Sequence, residues 1–112
     1  MKRIVMWGLS VVLAMLFVLS GSSKLLMPAL AHKNFAHWGY PAWFVTVIGV
    51  SELLGAVGLL VPKVARWATL GLSGIMIGAL YTHLSHMEWI MAILPGVVLL
   101  ILGAIYKLRT KP

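Results

Sequence analysis

Residues 43–61 read WFVTVIGVSELLGAVGLLV and are followed at once by Pro62. A helix needs about 20 apolar residues to cross a bilayer, and this run is close to that length. Val47, Val50, Leu54, Val57 and Val61 step by three and four along it. At helical spacing they form a large apolar stripe, expected to face lipid. Gly49, Glu52, Gly55 and Ala56 fall on the other side. Small residues let membrane helices approach closely, so that side is expected to face the rest of the protein.

Three further apolar runs lie outside it, at about 4–27, 64–84 and 89–106. Pro28 stops the first, since proline has no backbone N–H to continue a helix. Backbone groups in hydrocarbon must pair within their own segment, so these runs are expected to be helices. Trp38, Tyr40, Trp43, Trp67, Tyr81, Trp89 and Tyr106 cluster near the run ends, as aromatic belts do. The expectation is an all-α, single-domain antiparallel bundle of four transmembrane helices in contact with the lipid bilayer. Lys2 and Arg3, the apolar run and Ser20-Gly21-Ser22 also fit a secretory signal peptide. The run is longer than a usual signal core, and its removal would leave three spans.

Composition agrees. Of 112 residues, 62% are hydrophobic and 10% are charged. A soluble domain this small keeps much of its surface wet, and 9 bases with 2 acids cannot cover one. The absence of cysteine excludes disulfides and any dithiol electron relay. The net charge of +7 does not point to nucleic acid, because the bases sit at the ends of apolar runs. One side of the membrane would hold Lys2, Arg3, Lys63, Arg66, Lys107, Arg109 and Lys111, and the other only Lys24 and Lys33. Positive charge stays inside, so both termini are expected to be cytoplasmic.

Glu52 is the one carboxyl inside a span, about 14 Å from either end of its run. A charge at that depth costs several kcal/mol, which makes it a candidate for ligand binding or proton relay. Its structural alternative is a bond to Thr46, Ser51, Thr69 or Ser73. Lys24 closes the first span and either snorkels to water or turns towards Glu52. Helix rise places those two backbones at different depths, so direct pairing needs long side chains or water. His83 and His86 lie one turn apart at the outer end of the third run, on the same side as His32 and His37. A pocket histidine can donate to or accept from a ligand, whereas His-x-x-His with only Glu88 nearby makes no metal site. Gly71, Gly74 and Gly78 form a second small-residue stripe. It is expected to pack on the glycine face of Gly49 and Gly55, within one chain or between two copies. No phosphate loop, nucleophile elbow or Ser-His-Asp set is present.

Ser20-Gly21-x-x-Lys24-Leu25, GVSELLGAVGLLVPKVARWATLGL at 49–72 and GALYTHL at 78–84 resemble the DoxX-like family of small four-helix membrane proteins. The resemblance implies a multi-pass protein of the bacterial cytoplasmic membrane. It also implies an accessory component of a membrane redox system, with a redox-protein partner and a quinone as the cofactor class. Lys24, Glu52 and His83 would be the matching polar positions. The alternatives are a purely structural membrane partner subunit and a proton-coupled small-molecule transporter using Glu52, the latter because small multidrug resistance proteins share the length, the four spans and a membrane glutamate. Those carry the glutamate in the first span, whereas here it is in the second.

Overall fold

The computed structural model describes residues 1–110. Lys111, which enters the charge balance above, lies outside the described residues. The described chain is all α and has the element order α1 (Lys2–Leu26), α2 (Pro28–His37), α3 (Ala42–Leu59), α4 (Ala65–Ser85) and α5 (Trp89–Thr110). Three helices are long and apolar enough to cross a membrane: Lys2–Leu26, Ala42–Leu59 and Trp89–Arg109. α4 has the length, at 21 residues. Arg66, Thr69, Ser73, Thr82 and His83 lower its hydropathy and keep it out of that set.

The segment after the first span differs from expectation. Pro28 ends α1 and also opens α2, where its fixed φ suits the first turn of a helix. The expected interfacial connection is therefore a ten-residue helix followed by a turn.

α1 packs beside α3 and α4 beside α5, while α3 meets α4 and α5 closes back on α1. The core lies towards the end where α1 begins and α5 finishes. There Leu13, Phe17, Leu59, Leu72, Leu102 and Ile105 form one buried cluster. α1 thus contributes to the interior of the bundle. Arg109 ties this end together. Its Nη2 donates to the Leu59 carbonyl at 2.9 Å, which is an unpaired group at the end of α3. It also reaches Ser10 Oγ at 3.3 Å, and its guanidinium lies 4.6 Å from the Trp7 ring centre.

Glycine sets the spacing of two contacts. A Cβ on Gly21 would fall 2.7 Å from the Gly49 carbonyl oxygen, and one on Gly55 would fall 2.5 Å from Leu72 Cδ2. Gly49 and Gly55 therefore sit at helix contacts. Gly71, Gly74 and Gly78 do not: a Cβ on any of them would meet nothing within 4 Å. Within one chain the two glycine faces do not meet, which corrects that part of the expectation. Small residues permit a close approach without compelling one, and the α4 stripe instead borders open space.

Two turns at the opposite end share one motif. At the end of α2, Gly39 N donates to Ala36 O and Tyr40 N donates to Phe35 O. At the end of α4, Met87 N donates to Leu84 O and Glu88 N donates to His83 O. Both are Schellman caps, which require a left-handed residue after the helix. Gly39 takes it at φ 87°, and Met87 takes it at φ 58°.

Candidate functional site

A cavity of about 800 Å³ lies between the α1/α3 pair and the α4/α5 pair, on the side of the bundle away from Arg109. That is within the usual range of a small-molecule site. Its walls are mostly apolar, with Leu16, Phe17, Ile48, Ile75, Met76 and Val98 among them. The Gly71, Gly74 and Gly78 stripe widens it on the α4 side. Pro95 stands on the α5 wall within the helix. Proline supplies no N–H to the carbonyl four residues back, so Met91, also on that wall, lacks its regular helical donor.

The polar centre of the cavity is Lys24, Ser20 and Glu52. Lys24 Nζ donates to Glu52 Oε1 at 2.9 Å and to Ser20 Oγ at 2.7 Å. Ser20 Oγ donates to the same Oε1 at 3.0 Å. The side chains are 17% and 4% exposed for Lys24 and Glu52, so the pair is largely enclosed. Lys24 does not snorkel away. Gly21 meets Gly49 at one level, with Lys24 one turn beyond it on α1 and Glu52 one turn below on α3. The axial offset is about 9 Å. Side chains in a helix lean towards its N-terminus. α1 and α3 run oppositely, so Lys24 and Glu52 lean towards each other, and a lysine spans what remains. The four hydroxyls considered for Glu52 are used elsewhere or face away. Ser51 bonds Val47 O, Thr69 bonds Arg66 O and Ser73 bonds Thr69 O, and Thr46 is exposed.

The far end of the cavity is covered by α2 and the turn after it. Phe35, Trp38, Tyr40 and Phe44 form a packed aromatic group. Trp38 Nε1 donates to Glu88 Oε1 at 3.1 Å. Tyr40 and Thr82 hydroxyls lie 2.7 Å apart. Thr82 already donates its proton to Gly78 O, so Tyr40 is the donor. His83 Nδ1 lies 2.8 Å from Glu88 Oε1, and a carboxylate accepts, so Nδ1 carries the proton. His83 lines the cavity. Glu88 stands just before α5, and the His83 hydrogen bond holds its carboxyl below the ordinary range. Desolvation opposes that shift, while the Trp38 bond and the nearby His83 and His37 support it.

Of the sequence candidates, Lys24, Glu52 and His83 share this cavity. His86 does not line it. Its Nδ1 donates to Thr82 O at 2.8 Å and closes the end of α4. Among the described residues no cluster of three or more metal-ligating side chains occurs. The sequence reading missed Ser20 as a partner of Glu52, Glu88 as the link between α2 and α4, and Arg109 as the clamp on α3. Ser20 lies four residues before Lys24, one helical turn, and that spacing was the available signal.

A Bacillus subtilis (strain 168) protein described as uncharacterized, YdgD, is 28% identical over 99 residues, covering 83% of this chain and 87% of its own. No solved structure matches the chain. The DoxX-like family model matches residues 8–105, which takes in Ser20, Lys24, Glu52 and His83 together with every wall of the cavity, and the chain belongs to that family.

Proposed function

We propose that this protein is a four-span membrane component that holds an apolar small molecule from the lipid phase between its helices, as an accessory part of a membrane redox system. The observation that carries the reading is the cavity of about 800 Å³ with an enclosed Lys24–Glu52 pair on its wall. A purely structural bundle gains nothing from an ion pair in a space that size, since a buried pair is weak support for stability.

α4 is the fourth span in this reading. Thr69, Ser73 and Thr82 return their hydroxyl protons to carbonyls of their own helix, which lowers the cost of placing them in lipid. Four crossings put both termini on one side, and the balance of bases makes that side cytoplasmic, in a bacterial inner membrane. A quinone, with the quinol it is reduced to, is the ligand class that the family likeness suggests, with Lys24 as a donor to a head-group oxygen and His83 as an acceptor from a quinol hydroxyl. The transporter reading is less favoured. A glutamate that binds a cation and exchanges it for protons needs surplus negative charge, and Lys24 at 2.9 Å removes it.

The test is purification in mild detergent with mass spectrometry of bound small molecules, followed by titration with a short-tailed quinone read by tryptophan fluorescence. Bound apolar molecules and saturable quenching, weakened in Glu52→Gln or His83→Ala, are expected. Unchanged affinity in both variants would remove the site from these residues.

A further inference from the structure

We infer that the ligand of this cavity is a neutral lipid-phase molecule whose head donates a hydrogen bond, an aromatic or aliphatic hydroxyl, and that Glu52 Oε2 is its acceptor. This rests on the reading that the cavity binds an apolar molecule, and it adds the chemistry of the head group.

The polar atoms of the pair are unequally used. Glu52 Oε1 accepts from both Lys24 and Ser20. Oε2 has no hydrogen-bond partner among the described residues. It is not sealed in protein either, because Arg109 Nε is the one enclosed side-chain atom that lacks a partner among them. Glu52 is buried and lines the cavity, so the open space that Oε2 meets is the cavity. A carboxylate oxygen can only accept. An unmet acceptor in an apolar surround is costly, and a ligand that supplies the donor recovers that cost.

Charge narrows the class. Lys24 and Glu52 sum to zero, so neither a cation nor an anion finds a surplus of opposite charge at the pair. Moving a charged head there would add a desolvation cost with no compensation. A neutral hydroxyl meets the free oxygen without it. The route of access also fits. α1 and α5 meet near Ser10 and Arg109, whereas further along Leu16, Ile90, Met91 and Leu94 line the cavity while remaining exposed. That flank lies between two helices apolar enough to cross a membrane, α1 and α5. The far end is covered by Trp38 and Tyr40, tied to Glu88 and Thr82.

A matched pair of probes tests it: 4-hexylphenol and 4-hexylanisole, which share ring and tail and differ in the O–H. Each is titrated against the full chain in one mild detergent, with tryptophan fluorescence as readout. The phenol is expected to bind about tenfold more tightly, the size of one hydrogen bond to a charged acceptor. In Glu52→Gln, Oε1 still accepts from Lys24 and the free atom becomes an N–H donor, so the preference should collapse. Infrared difference spectra give a second reading that needs no Glu52 variant. In Glu88→Gln, Glu52 is the remaining acidic side chain, and its carboxylate stretch should shift with the phenol and not with the anisole. Equal binding of both probes with no carboxylate shift overturns the inference and leaves the apolar-ligand reading standing. If neither probe binds while the short-tailed quinone does, the inference is again overturned alone. If no probe of any kind binds, the underlying reading fails.

Discussion

Where α1 begins and α5 ends, Leu13, Leu59, Leu102 and Ile105 are wholly enclosed and Arg109 links α5 to α3. At the other end the same four long helices stand apart around a cavity, bridged by α2 through Trp38 and Tyr40. Both ends draw on the same apolar composition. In a bilayer, lipid is as apolar as leucine, so apolarity alone does not bring helices together. Packing decides, and it is concentrated at one end, whereas the hydrogen bonds of the other end bridge helices around a space. The other end is left free to hold something.

Paired substitutions can break or sharpen this contrast. The largest effect is expected in the core. Leu102→Ala should cost about 3 kcal/mol by opening a void in the closed end. Leu94→Ala, at a side chain 64% exposed, should cost less than about 0.5 kcal/mol. Thermal unfolding in detergent, followed by tryptophan fluorescence, compares them, and equal losses would erase the distinction. Next in size is a glycine pair. Gly21→Ala drives a methyl into the Gly49 carbonyl and should cost about 1–3 kcal/mol. Gly74→Ala meets no neighbour and should hold the melting temperature or raise it slightly, since alanine is the better helix former.

A smaller effect tests the turn that brings Glu88 over His83. Met87 holds a left-handed conformation that glycine adopts freely. Met87→Gly should therefore stabilise the fold by up to about 1 kcal/mol, whereas Gly39→Ala, at the equivalent place after α2, should destabilise it. The smallest effect is a pH response confined to the covered end. The folded state holds the Glu88 carboxyl below its ordinary value of 4.5. Its contribution is therefore complete above that value and is lost as pH falls through the lower folded one. Acrylamide quenching of Trp38, read as the difference from Trp38→Phe, should rise as pH falls below 4.5.

Much of the frame was legible in the sequence. The stripe from Val47 to Val61 is exposed, and Gly49, Glu52 and Ala56 are buried, because helical spacing translates directly into faces. The helix bounds follow the prolines and the polar ends of each run. The contents of the bundle were less legible for specific reasons. Depth along straight helices argued against the Lys24–Glu52 contact, and the opposed lean of side chains on antiparallel helices brings it about. The G-x-x-x-G of Gly74 and Gly78 signals space without saying whether a helix or a cavity fills it. α2 was hidden by its mixture of histidine, lysine, asparagine and aromatic residues, in which Pro28 was the one helix-start signal. Arg109 read as a topology charge, and nothing in its local sequence points to the Leu59 carbonyl fifty residues away.

The account turns on the cavity between the two helix pairs as a place where a lipid-phase molecule sits. Gly74 lines that space and a Cβ there meets nothing within 4 Å, so Gly74→Phe directs a ring into it. The direct measurement is the stoichiometry of short-tailed quinone binding to the wild-type chain and to Gly74→Phe in the same detergent, with melting temperatures recorded alongside. The account predicts saturable one-to-one binding by the wild type and none by Gly74→Phe, at similar melting temperatures. Equal saturable binding by both proteins would contradict it.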